Sequence, residues 1–212
     1  MMINRERISF WARLFAIGLS VIFIGSFVLF GIGSNVSYNI FDLIGGQDQR
    51  QTQTSGGGIE EQIARAERQV EEDPGDAEAV TRLAALYYQA GRLDDAARVL
   101  ERGRERSPKD PELAMLLGQI RAQQAESASG EKERRRLYAG AAEAFAAAAK
   151  LEPGNAEAFL FAGNAYDAAD MPGQAIKYWN GYLELEPRGE QAKAVKERIS
   201  ALLRGGGEGG GA

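Results

Sequence analysis

Apolar positions fall into distinct regimes along the 212-residue chain. Residues 14–32 form an unbroken, uncharged and mostly apolar run of 19 positions. As a helix rising about 1.5 Å per residue, such a run nearly matches the ~30 Å hydrocarbon core of a bilayer. It is apolar on every face, which suits lipid better than the edge of a globular core. Residues 45–58 (GGQDQRQTQTSGGG) have no apolar period and the composition of a flexible tether. From 59 to 204, apolar residues recur at three- and four-residue steps and no alternating β-branched run occurs, so this segment is expected to be helical throughout. A glycine-rich tail, 205–212, is expected to be disordered.

Charge orients the N-terminal run. Arg5, Arg7 and Arg13 precede it, and the next basic residue is Arg50. The positive-inside bias then assigns 1–13 to the cytoplasm, 14–33 to a transmembrane helix, and the remainder to the extracytoplasmic side of the cell membrane. Phe10 and Trp11 at one end, and Tyr38 and Phe41 at the other, suit the two interfaces. A cleaved signal peptide is the alternative, because Gly31–Ser34 are small, although signal peptides carry a shorter apolar core of roughly 7–15 residues. The bilayer is thus one expected partner, through 14–33, and residues 34–58 link it to the helical region.

That region repeats. Pro74, Pro108, Pro153 and Pro187 are separated by 34, 45 and 34 residues. Leu83, Leu117 and Ala162 keep the same steps, as do Ala84, Gly118 and Gly163. So do Asp76, Asp110 and Asn155, whose short polar side chains predict helix N-caps. Pro111 follows Asp110 at a first helical position, where a missing N–H costs nothing.

With these spacings the chain resembles the tetratricopeptide repeat (TPR) family, in its membrane-anchored bacterial form. That family pairs an A helix, reading bulky–Leu–small–aromatic, with a B helix reading Ala–bulky–Ala and a closing Pro. The first repeat supplies Val80, Leu83, Ala84 and Tyr87, then Ala96, Leu100, Gly103 and Pro108. The third supplies Phe159, Ala162, Gly163 and Tyr166, then Ala175, Trp179, Tyr182 and Pro187. Tyr182 departs from the small residue of the pattern and implies looser or shifted packing. The second supplies Ala114, Leu117 and Gly118, but has Arg121 at the aromatic place, and then Ala141, Phe145, Ala148 and Pro153. Its extra eleven residues are expected to turn at Ser127-Ala128-Ser129-Gly130 and to lengthen helix B backwards over 131–140.

The resemblance implies an all-α fold: one transmembrane helix, then a right-handed solenoid of about three repeats (77–110, 111–155 and 156–189) within a domain at 59–204. The helix at 59–72 and the segment 190–204 would cap its ends. It also implies a protein-binding groove lined by A-helix residues: Glu78, Thr81, Arg82, Ala85, Tyr88 and Gln89, then Met115, Gln119 and Gln123, then Glu157, Leu160, Phe161, Asn164 and Asp167. This mixed groove lacks a set of Lys and Asn for a C-terminal carboxylate and suits an apolar or helical peptide segment.

Composition narrows the chemistry. The chain has no Cys and no His, which removes thiol and imidazole catalysis and the usual zinc sites. No nucleophile elbow, phosphate loop or calcium loop is present. No enzyme activity, cofactor or metal is expected. A net charge of -5 argues against nucleic acid. Asp94-Asp95 reads as an acidic first helical turn. Lys132, Arg134, Arg135 and Arg136 form the one basic cluster. It is either a solvated helix face paired with Glu131 and Glu133, or a docking patch for an acidic partner or anionic lipid. The function expected is a membrane-tethered interaction module, a scaffold or assembly factor. The alternatives are an extracytoplasmic chaperone for protein export or cytochrome c maturation, and a self-associating structural oligomer.

Overall fold

The computed structural model describes residues 58–208. The expected cytoplasmic segment 1–13, the membrane span 14–33, and all of the linker but Gly58 lie outside the described residues. Among the described residues there are eight helices and no strand, and no helix is long and apolar enough to cross a membrane. They are α1 (Ile59–Glu72), α2 (Ala77–Gln89), α3 (Leu93–Arg106), α4 (Pro111–Ser127), α5 (Glu131–Leu151), α6 (Ala156–Ala168), α7 (Pro172–Leu185) and α8 (Ala192–Glu208). Each packs mainly on its sequence neighbours, and α4 also touches α2.

The caps form where the sequence places them. Asp76 accepts from the backbone N–H groups of Glu78 (3.0 Å) and Ala79 (3.2 Å). Asp110 accepts from Glu112 (2.9 Å) and Leu113 (3.1 Å), and Asn155 from Ala158 (3.1 Å). Each bond satisfies a donor that the helix start leaves without an internal partner. Asp110→Ala should therefore cost about 1 kcal/mol, read as a lowered denaturation midpoint.

The A-to-B turns repeat as closely. Gly91 (φ 73°) and Asp170 (φ 62°) occupy equivalent places, and the next N–H, from Arg92 or Met171, returns to the carbonyl of Tyr87 (2.8 Å) or Tyr166 (2.9 Å). These are left-handed helix ends, which glycine enters freely and aspartate tolerates.

The second repeat absorbs its insertion in helix rather than in loop. Its turn, Ala128 to Gly130, is as short as the other two. Relative to their counterparts, α4 gains four residues (17 against 13) and α5 gains seven (21 against 14). Both helices thus project past the array, α5 by about 10 Å at 1.5 Å per residue. The backward extension of helix B matches expectation; the added turn on α4 does not follow from the repeat pattern. Gln124 near its end donates to Asp94 in α3 (2.6 Å), tying the extension to the first repeat.

The ends of the array are half-repeats. Residue for residue, α1 lies 34 positions before α3, so it is a B helix with no described A partner. Its Gln62 and Gln69 stand where α3 buries Ala96 and Gly103, and both are exposed. At the other end, α8 takes the place of a fourth A helix. Its Lys193, Lys196, Glu197 and Ser200 correspond to Phe159, Ala162, Gly163 and Tyr166, and all four are exposed. Both outer faces are thereby made polar, as the terminal units of a repeat array require. Val195 is buried, and Ile199 and Leu202 pack on the core, as expected for a cap. The helix continues to Glu208, past the boundary at 204 that the glycine run suggests.

Packing follows matched sizes at each A–B crossing. Ala84 and Leu100 are both buried in the first repeat. In the second, a Cβ on Gly118 would stand 2.6 Å from the Phe145 ring, and in the third, one on Gly163 would stand 2.4 Å from the Trp179 ring. The glycines exist for the aromatics: an aromatic lies directly on the helix backbone. Tyr182 is buried, so packing there is shifted and not loose. Phe159 rests on the neighbouring Gly181, where a Cβ would be 2.4 Å away.

Candidate protein-binding groove

The A helices α2, α4 and α6 present equivalent rows of side chains, and the structure separates those committed to packing from those left open. Thr81, Met115 and Leu160 are buried, as is Ala85. They belong to the buried core instead of the open face. Phe161 is half-buried against Phe145, with ring centroids 5.3 Å apart. Asn164 is half-buried, and its Oδ1 accepts from Trp179 Nε1 (2.9 Å). Asp167 holds Arg198 of α8 through two bonds of 2.8 and 2.9 Å. Glu78 pairs with Arg82 (2.8 Å). Exposed Gln89 and half-buried Tyr88, Gln119, Gln123 and Glu157 complete the predicted set.

Gln119 is distinctive. It occupies the same repeat position as Asn164, but the aromatic beneath it is Phe145, which has no N–H to offer. Its Oε1 is buried with no hydrogen-bond partner among the described residues. A buried acceptor without a donor costs about 1–3 kcal/mol. Gln119→Met, similar in shape and without that acceptor, should accordingly raise stability by about 1 kcal/mol, measured by urea unfolding.

One acidic residue of this face, Glu112, was not among the predicted groove residues, whereas Glu78 and Glu157 were. Glu78, Glu112 and Glu157 are each the second residue of an A helix. Arg82 answers Glu78 one turn later, but the matching positions for the other two hold Leu116 and Phe161. Partial burial lifts the Glu157 carboxyl above its ordinary range; Glu112 is exposed, and partial desolvation followed by the nearby Asp110 charge shifts it in the same direction. Neither carboxylate has a cation in ion-pair contact among the described residues.

Arg121, at the place of the aromatic, works as a strut. Its guanidinium donates to the Gly140 carbonyl (3.1 Å) and to Glu101 (2.6 Å), bridging α3 to α5. The tyrosines at the equivalent positions do other work. Tyr87 donates to Glu67 of α1 (2.5 Å), and burial, then this carboxylate, push its phenol up to about 12. Tyr166 stacks on Tyr178 with centroids 5.3 Å apart.

The basic cluster is internally matched. Arg134 pairs with Glu131, Arg135 with Glu131 (2.7 Å) and with Asp170 of the α6–α7 turn (2.6 Å), and Arg136 with Glu133 (2.6 Å). Lys132 is exposed. The three arginines of the cluster are thus each paired with a carboxylate. Asp95 likewise is held by Arg92 and Arg98, and the Arg92 bond above all keeps its carboxyl below the usual range. Behind α2, a cleft of about 530 Å³ runs between α1 and α3, with Val80 and Leu83 at its base, Glu71 on one wall and Arg102 on the other.

Comparison with known families agrees with this geometry: residues 62–120 match the tetratricopeptide repeat family. The described helices form a TPR-like solenoid. The solved structure of MamA aligns with 70% of this chain and 79% of its own, at 20% identity and a TM-score of 0.54. A MamA mutant aligns with 68% of this chain and 78% of its own, at 19% identity and a TM-score of 0.52. At such identities the likeness is one of fold. No curated protein matches the sequence. The array presents its A-helix face, and the cleft between α1 and α3, as surfaces on packed helices.

Proposed function

We propose that this chain is a membrane-tethered TPR module, a scaffold or assembly factor, that displays its array outside the cytoplasm and holds a segment of a partner protein on the A-helix face. One observation carries the binding half. Both ends of the array are closed by polar half-repeats, whereas the A-helix face retains polar groups that no described neighbour satisfies. The tether is supported by the uncharged run at 14–32 and by the arginines that precede it. Anchoring would raise the local concentration of the array around membrane-bound partners.

The polar ends also weigh against end-to-end self-association, because Gln62, Gln69, Lys193 and Lys196 would have to be desolvated at such a joint. A single monomeric boundary in sedimentation of the full chain in detergent is expected, and a reversible dimer would favour the structural reading. Topology is tested by adding protease to spheroplasts. The array should be cut from outside while a cytoplasmic marker survives. Cutting only after the inner membrane is lysed would overturn the proposed display.

A further inference from the structure

The insertion in the second repeat does more than lengthen two helices. Set against their counterparts, the turns it adds are 124–127 in α4 and 131–137 in α5. One residue in each added turn reaches a neighbouring repeat. Gln124 Nε2 donates to Asp94 Oδ1 (2.6 Å) at the start of α3, beside the α2–α3 turn. Arg135 donates to Asp170 Oδ2 (2.6 Å) in the α6–α7 turn. The inserted hairpin is thereby tied to the A-to-B turn on either side of it, through residues that a repeat of the ordinary length does not have. On the first-repeat side the tie crosses a hollow of about 580 Å³, lined by Gly91, Leu93, Gln124, Ser127 and Leu137. The two turns differ at their left-handed position, which is Gly91 in the first (φ 73°) and Asp170 in the third (φ 62°). Glycine enters that region without strain, whereas aspartate only tolerates it. At Asp170 the less suited residue supplies the carboxylate that Arg135 holds.

We propose that the inserted hairpin is a brace between the two flanking turns, carrying a salt-sensitive latch on the third repeat: the Arg135–Asp170 ion pair holds the α6–α7 turn closed, and the Gln124–Asp94 bond holds the α2–α3 turn. The α6–α7 turn is closed by the Asp170 N–H bond to the Asp167 carbonyl (3.0 Å) and the Met171 N–H bond to the Tyr166 carbonyl (2.9 Å). A grip on the Asp170 side chain from α5 makes opening of those two bonds cost the ion pair as well. Both partners of the pair are exposed, so added salt screens it. The donor at Gln124 is uncharged, and its bond responds less to salt. Ionic strength therefore loosens the turn of the third repeat selectively. Because α6 ends at this turn, the latch restrains the C-terminal end of the third A helix.

The test is residue-resolved amide hydrogen exchange on the full chain in detergent, at low salt and in about 1 M NaCl, where the Debye length falls to about 3 Å. Arg135→Gln and Asp170→Asn each remove the ion pair, and asparagine keeps the tolerance for positive φ. At low salt each should lower the protection of the Met171 amide roughly two- to fivefold, and the double variant should lower it no further than either alone. The natural chain in high salt should approach these variants. The Arg92 amide, which closes the α2–α3 turn on Tyr87, should stay unmoved throughout. Gln124→Ala should invert the pattern, exposing Arg92 and sparing Met171. Arg136→Gln removes an equal charge that pairs with Glu133 in its own helix, and should leave both amides unchanged. Unchanged Met171 protection in Arg135→Gln and Asp170→Asn would overturn the latch, as would single effects that multiply in the double variant. An unmoved Arg92 amide in Gln124→Ala would overturn the two-sided brace. Protection lost equally across α5 to α8 would overturn it too, since that reports general destabilisation instead of the opening of one turn.

Discussion

Trp179→Ala is expected to destabilise the array by about 3–5 kcal/mol, the range for removing a buried large aromatic. For a domain of this size that corresponds to a fall in Tm of roughly 10 °C. The side chain is 3% exposed, lies on the bare backbone of Gly163, and donates its indole N–H to Asn164. Truncation removes the packing and leaves the Asn164 oxygen without its donor. Trp179→Phe separates the two effects. It keeps most of the ring and recreates the arrangement of Phe145 over Gly118, so the loss should shrink to about 1–2 kcal/mol, chiefly the orphaned acceptor. Equal destabilisation by both variants would contradict this division. Because each unit of a repeat array contacts only its neighbours, the accompanying rise in amide exchange should concentrate in α6 to α8 and spare α1 to α3.

Gly118→Leu should cost about 1–3 kcal/mol through overpacking of the α4–α5 crossing. Even a single Cβ at this position would meet three atoms of the Phe145 ring at 2.6 to 2.8 Å. Alanine instead of glycine improves helix propensity by about 1 kcal/mol, so a net loss in Gly118→Ala would mean that the steric term outweighs it. The first repeat already contains the compatible pair, Ala84 with Leu100, both buried. Introducing that pair as Gly118→Ala with Phe145→Leu should therefore recover part of the loss. In a double-mutant cycle followed by urea unfolding, the coupling should favour the double variant by about 1 kcal/mol. Strict additivity would mean that the two residues do not share a crossing.

The repeat register was legible in the chain because its markers are local. A proline ends each B helix, an Asp or Asn side chain reaches the N–H two or three residues on, and glycine alternates with a large residue at the crossing. Such features need only a few residues of context, and Asp76, Asp110 and Asn155 cap as their spacing implied. What the sequence did not reveal depends on neighbours distant along the chain. A helical wheel assigns Thr81, Met115 and Leu160 to the A-helix face, yet the tertiary packing buries all three. Arg121 looked like a defect in the pattern; its partners, Glu101 and Gly140, lie twenty and nineteen residues away and on two other helices. Tyr182 was legible as a departure, whereas the compensating move of Phe159 onto Gly181 required the backbone. The basic run read as a patch because its charges are consecutive. Helical pairing with Glu131 and Glu133, and the bond to Asp170 in the next repeat, neutralise much of it.

The central claim, that a partner protein is held on the A-helix face, is tested most directly by site-specific photo-crosslinking in intact cells. A photoreactive residue is placed in turn at Gln89 and Gln123 on the A helices and at Arg102 on the B helix α3. Gln89 and Gln123 should each yield the same discrete crosslinked protein, with Arg102 yielding none. Crosslinks from Arg102 to that protein, with Gln89 and Gln123 silent, would contradict the claim and move the binding surface to the cleft between α1 and α3.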